Sequence, residues 1–349
     1  MDKIKCLKFP KIEQYRNIVS AINRSYSYVG LDENGDAIYD QLKPKPTIKF
    51  KGTVKLHGTN AGISYNDKFG VWTQSRNNSF DLDTNADSHM GFSFFVKSNM
   101  DYWETEFKDF AYIHDIDTTK FCISIFGEWA GKGIQKGVGI SEIDKSFFIF
   151  GIKVSNPDDE DFVSQWYDYS NIHAPELKVY NMTDFPTWEI EIDFNEPSRI
   201  SNKLSELTMA IEEECPVAKH FGKSGIGEGI VWETNYNGTN HRFKVKGEKH
   251  SVSKVKTLAP VDVEKLDSVN EFVEYAMTRN RFNQALGEVF NSPVEYDVKK
   301  TGDLLRWLIN DIMNEEIDVM TENGLTPKDT NKYISVKAKN MFFAELQNV

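Results

Sequence analysis

The feature that most constrains folding is a change of texture near Ala259-Pro260. Before it, apolar residues come in short runs of strand length. These runs are Thr47–Val54, Ala61–Tyr65, Gly70–Ser75, Phe121–Phe126, Phe147–Val154, Gly229–Glu233 and Arg242–Lys246. After it, residues 262–291, 301–320 and 328–346 space their apolar side chains for helices and carry almost no strand signal. Shorter helical patterns cover residues 10–23, 92–110 and 203–214. Residues 31–46 and 77–91 read as turn-rich or polar loops, with Asn34-Gly35 as a breaker. The expectation is an α+β chain: a domain over residues 1–258 and an all-helical domain over residues 259–349.

With 349 residues, of which 40% are hydrophobic, the chain can bury a sizeable core across two domains. No apolar run reaches membrane-spanning length, so no membrane role is expected. The start, Met1-Asp2-Lys3-Ile4-Lys5-Cys6, has no apolar stretch of the kind that opens a secretory signal. Cys6, Cys122 and Cys215 are far apart and odd in number, which suits a reducing compartment and a cytoplasmic location rather than a disulfide framework or a zinc site. A net charge of −12 argues against general polyanion binding. One basic strip runs against that average. Arg242, Lys244, Lys246, Lys249, Lys254 and Lys256 are opposed only by Glu248. Such a strip is either a focused polyanion site or a solvated charge run.

The segment Lys55-Leu56-His57-Gly58-Thr59-Asn60 lies between two of the strand-length runs and reads as the turn of a hairpin. A lysine held there is a candidate nucleophile, although lysine-x-x-glycine is common and a solvated lysine is the plainer reading. Other functional groups stand at or beside strand ends: Arg76, Phe126-Gly127-Glu128, Phe150, Glu228-Gly229 and Lys244-x-Lys246. Each has an ordinary alternative. Arg76 suits a surface salt bridge, Phe150 suits core packing, and either glutamate suits a turn cap. The two lysines suit a solvent-facing edge strand, and His57 suits a hydrogen-bonding role. Competing chemistry is not supported. Gly222-Lys223-Ser224 lacks the leading glycine of a P-loop because Val217 stands there, and no H-E-x-x-H, C-x-x-C or G-x-S-x-G occurs.

Taken in order, these motifs resemble those of the covalent nucleotidyltransferases, the ATP-dependent ligases and mRNA capping enzymes. Within that superfamily the chain is most similar to the RNA ligase 2 class of phage and trypanosome-editing ligases. Lys55-Leu56-His57-Gly58-Thr59-Asn60 and Phe126-Gly127-Glu128-Trp129-Ala130-Gly131-x-Gly133-Ile134-Gln135 carry the likeness. It covers residues 47–256, and the helical tail extends it more weakly. The fold it implies is a nucleotidyltransferase (ATP-grasp-like ligase) domain of two antiparallel sheets enclosing an ATP cleft, followed by a helical RNA-binding domain. Two departures stand out: Val54 and Gly151 occupy positions where the family usually has acidic residues.

The resemblance implies roles residue by residue. Lys55 is the nucleophile that becomes lysyl-AMP, and His57 assists it. Glu128 holds the ribose, Phe150 stacks on adenine, and Glu228 holds Mg²⁺ or Mn²⁺. Lys244 and Lys246 meet the α-phosphate, Arg76 the ribose or the 5′-phosphate, and Asn60 the RNA end. The first step needs a neutral amine. A free lysine has a pKa of about 10.4, so roughly one in a thousand is neutral at pH 7. Nearby cations are expected to favour the neutral form. The function implied is an ATP-dependent RNA ligase, expected as a monomer, sealing 3′-hydroxyl and 5′-phosphate ends at nicks in duplex RNA or an RNA/DNA hybrid during RNA repair in a host cytoplasm. A DNA ligase, a capping guanylyltransferase and an inactive relative that binds nicked RNA are the alternatives.

Overall fold

The computed structural model describes residues 4–84, 88–159, 161–250, 269–290 and 296–346. The chain is α+β, with several sheets and a helical C-terminal region. Its first half alternates short strands and helices. These are β1 (Glu13–Gln14), α1 (Tyr15–Ser27), β2 (Tyr28–Leu31), β3 (Ala37–Tyr39), β4 (Thr47–Lys55), β5 (Thr59–Asn66), β6 (Gly70–Ser75) and β7 (Ser79–Phe80). Helices α2 (Phe92–Ser98) and α3 (Met100–Ile113) precede β8 (Cys122–Ala130), β9 (Ser146–Ser155), β10 (Gln165–Tyr167), β11 (Val179–Asn181) and β12 (Thr187–Asp193). Then come α4 (Ser201–Glu213), α5 (Pro216–His220) and the hairpin of β13 (Gly229–Tyr236) and β14 (Thr239–Lys246). The remaining helices are α6 (Val269–Ala276), α7 (Arg279–Val289), α8 (Thr301–Glu322) and α9 (Pro327–Leu346).

One sheet has the order β1-β14-β13-β4-β12 and another β10-β9-β8-β5-β6-β7, while β2 and β3 form a ribbon of their own. The sheets are not wholly antiparallel, because β11 pairs with β9 in parallel. The connection over residues 156–178, which includes β10, is long enough to return the chain in the same direction. Two compact units emerge. The first comprises Met1–Glu13, Lys49–Glu191 and Met209–Lys244; the second comprises Gln14–Ile48, Ile192–Thr208 and Val245–Val349. The expected boundary at 258/259 lies outside the described residues.

In the first unit, period-two alternation gives the β5-β8-β9 sheet one apolar face. Ala61, Ile63, Tyr65, Ile123, Ile125, Trp129, Phe147, Ile149, Ile152 and Val154 pack there with Phe92, Val96, Trp103 and Phe107 of α2 and α3. The expected single helix over residues 92–110 is broken at Asn99, whose backbone (φ −120°, ψ 32°) leaves the helical region. The opposite face of β5 is small or polar, with Asn60, Gly62 and Ser64 opposite Glu128, Phe126 and Ser124 of β8. The same face thus also carries Phe126, the cross-strand partner of Gly62.

In the second unit, Leu304, Leu308 and Ile312 on α8 and Ile334, Ala338 and Phe342 on α9 recur every four residues. They close a core with Phe272 and Phe282. Buried in the same unit are Arg281 and Glu316, joined at 2.9 Å, with Arg16 donating to Glu316 at 3.2 Å.

Candidate active site

β4 and β5 do not form the expected hairpin. β4 pairs with β13, and β5 pairs with β6 and β8, so the Lys55–Gly58 link carries the chain from one sheet to the other. The lysine therefore stands where two sheets diverge, and not on the tip of a ribbon. Register brings its partner. Lys55 is opposite Gly229, so Glu228, one residue earlier, lies beside it. The Lys55 Nζ donates to Glu228 Oε2 at 2.7 Å, and His57 Nδ1 is 3.4 Å from the same oxygen. Glu228 is 3% exposed and Lys55 19%, so the carboxylate is buried and the amine half-buried.

Glu128 completes the cluster. Its Oε1 accepts the Gly58 backbone N–H at 2.9 Å, tying the end of β8 to the link. Burial pushes its carboxyl up to about 7; Lys55 pulls it down, and Glu228 adds to the rise. Gly58 must be glycine here because a Cβ would run into the Trp129 carbonyl oxygen and lie 2.9 Å from Glu128 Cγ. Gln135 Nε2 donates to the Gly58 carbonyl at 3.4 Å, so the glycine-rich loop after β8 also holds the link.

Asn60 is the direct cross-strand partner of Glu128, so both side chains leave the same face. Ser75 is opposite Ala61, which brings the next residue, Arg76, to the same edge of the sheet. Arg76 is exposed, and no ion pair is found for it among the described residues. Phe150 sits in a β-bulge: Phe126 is opposite Gly151 and Gly127 is opposite Ile149, leaving Phe150 as the extra residue. The bulge resets the alternation, so that Ile149 and Ile152 both face the core while Phe150 is only half-buried. On β14, Phe243 and Val245 are buried and Lys244 and Lys246 half-buried, the alternation expected for two lysines on one face.

Thus Lys55, His57, Glu128 and Glu228 are brought into one cluster, with Asn60 and Arg76 at the adjoining edge. The basic strip also departs from its reading as one exposed run. Arg242, the first residue of the strip, for which the sequence leaves both readings open, is 7% exposed. Its Nε donates to Glu233 at 2.9 Å and its guanidinium lies 4.0 Å from the Trp166 ring centre. Lys254 and Lys256 of the same strip lie outside the described residues. Sequence reasoning also missed Phe9 and Trp166, which with Phe126 form an aromatic group beside Phe150. Nothing in the local pattern around Phe9 marked it.

The family model for RNA ligases matches residues 48–246, more than half of the chain. This chain belongs to the RNA ligase family. The matched stretch takes in every residue of the Lys55 cluster. Among solved structures, the chain is similar to the Naegleria gruberi RNA ligase with pyrophosphate: 17% identity, 70% of this chain and 58% of that chain, TM-score 0.38. A glutamate-to-alanine variant of the Naegleria protein with ATP and Mn gives 14%, 69%, 56% and 0.41, and an arginine-to-alanine variant with ATP and Mn gives 13%, 68%, 56% and 0.39. The chain spans less than two thirds of the length of those proteins. No curated protein matches it. Among the described residues, no helix is long and apolar enough to cross a membrane.

Proposed function

We propose that this RNA ligase is ATP-dependent and works through a lysyl-AMP intermediate on Lys55. The observation that carries the reading is the 2.7 Å contact between Lys55 Nζ and buried Glu228 at the crossover between two sheets. In step one, Lys55 Nζ bonds to the α-phosphorus of ATP, the bond to the bridging oxygen of pyrophosphate breaks, and the amine gives up a proton. Glu228 Oε2 is the nearest acceptor for it, with His57 beside the same oxygen. In step two, a 5′-phosphate oxygen of RNA attacks the phosphorus of lysyl-AMP and releases the lysine. In step three, a 3′-hydroxyl oxygen attacks the activated 5′-phosphorus, and AMP leaves.

The remaining residues bind and orient. Glu128 accepts a ribose hydroxyl, and Phe150 stacks on the base. Lys244 and Lys246 offset phosphate charge on one strand face. Asn60 and Arg76, at the edge beside Glu128, meet the RNA end, where a guanidinium fork matches phosphate oxygens. The donor set suits Mg²⁺ or Mn²⁺ held through one or two carboxylates and the substrate phosphates. Glu228 adds to the charge cost of Glu128, and no group of three or more metal-binding side chains is found among the described residues. Such an ion would supply charge stabilisation on the phosphates. The RNA ligase 2 class and nicked duplex RNA fit this reading, with the helices after residue 269 contributing to the grip on RNA.

The test is intact-protein mass after incubation with ATP and Mg²⁺. Wild type should gain one AMP, reversed by pyrophosphate, and Lys55→Ala should gain none. A wild type freed of bound AMP that acquires no adduct would rule out the catalytic reading and leave an RNA-binding relative.

A further inference from the structure

Residues 4–9 form a strap across the face of the sheet that carries Gln74, Phe126 and Lys153. Leu7 is gripped twice by Gln74: its N–H donates to Gln74 Oε1 at 3.0 Å, and its carbonyl accepts from Gln74 Nε2 at 2.7 Å. The Ile4 carbonyl accepts from Ser79 Oγ at 3.0 Å, and the Lys8 carbonyl accepts from the buried Lys153 Nζ at 2.8 Å. These anchors deliver the Phe9 ring to the bulge. It meets Phe150 edge-on, with centres 4.9 Å apart at 71°, and also meets Phe126 and Trp166, each at 5.3 Å. The Arg242 guanidinium lies 5.1 Å from its centre.

Two features make Phe9 more than packing. Phe150 has no cross-strand partner of its own, because it is the extra residue of the bulge, so side-chain contacts must fix its ring. The neighbouring position is Gly151, where a Cβ would come within 3.3 Å of both Phe9 Cε2 and Trp166 Cζ3. The space beside the bulge is thus filled by a ring from the strap in place of a side chain at 151. We propose that Phe9, held by the N-terminal strap, is a positioning residue that sets the Phe150 ring for stacking on the nucleotide base. The inference rests on the reading of Phe150 given above.

The experiment follows lysyl-AMP formation against ATP concentration in wild type, Phe9→Ala, Phe9→Leu and Phe150→Ala. Inorganic tripolyphosphate serves as a base-free competitor. Losing an aromatic pair should raise the apparent KM for ATP roughly three- to tenfold in both Phe9 variants, with kcat within about twofold. Inhibition by tripolyphosphate should not change, which general damage to the site would not allow. Phe9→Leu keeps most of the volume and carries the test if Phe9→Ala does not fold. An unchanged KM in the Phe9 variants, with a raised KM in Phe150→Ala, overturns the role of Phe9 alone. An unchanged KM in Phe150→Ala overturns the stacking role and this inference with it. A wild type that forms no lysyl-AMP rejects the ligase mechanism itself.

Discussion

Glu128 sits in surroundings that disfavour its charge. Its carboxyl titrates near 7 when folded, against an ordinary 4.5, so between those pH values the folded chain holds a proton that the unfolded chain has lost. Stability therefore falls as pH rises through that window, by on the order of 3 kcal/mol once the group is ionised. Glu128→Gln cannot ionise. Its stability should match wild type near pH 4.5 and exceed it at pH 8, measured by urea denaturation. Parallel pH profiles for the two proteins would remove burial as the cause. Gly58→Ala tests the neighbouring constraint. The added Cβ meets backbone at Trp129, which cannot swing away, so a loss of about 1–3 kcal/mol is expected, together with slowed lysyl-AMP formation. The functional residue types at the strand ends were legible from sequence because their order and spacing were. The Lys55–Glu228 pair was not, because it joins positions 173 residues apart.

At the scale of elements, most strands fall where alternation puts them; Gly70–Ser75 agrees at both ends, and β8 and β9 run slightly longer than expected. The departures have physical causes. The loop over residues 31–46 contains β3, which pairs with β2 as an exposed ribbon and so lacks a buried face to advertise it. The first helix starts at Tyr15 rather than near residue 10, since the preceding residues are occupied as strap and strand. In the helical unit, Glu316 joins Arg281 and Arg16, and it also accepts from Tyr275 Oη at 2.8 Å. Removing Glu316 leaves two buried guanidinium groups with one carboxylate each, Asp311 for Arg281 and Asp318 for Arg16, so Glu316→Ala should cost about 3 kcal/mol in chemical denaturation. A smaller loss than that of an ordinary surface glutamate would show the network to be energetically idle.

At the scale of the whole molecule, the compact units are not consecutive in sequence. Residues 14–48 and 192–208 belong with the C-terminal helices. A fragment ending at residue 258 would strip Arg16 of Glu316 and Asp318, both of which it reaches within 3.2 Å. That fragment should unfold at a lower temperature than the full chain in thermal denaturation. Restoring the Tm by Arg16→Met in the fragment would identify the orphaned guanidinium as the reason. An unchanged Tm for the fragment would show that α1 does not depend on those partners.

The sequence by itself determined the α+β class, the helical tail and the residue types of the site, because periodicity and the order of motifs are local properties of the chain. Tertiary structure alone decided which sheet each strand joined, and so turned an expected hairpin into a crossover between sheets. It also decided that Arg242 is an interior cation and that Phe9 stands beside Phe150. Both follow from register and from long-range hydrogen bonds, which bring together residues too far apart along the chain for any spacing rule to connect.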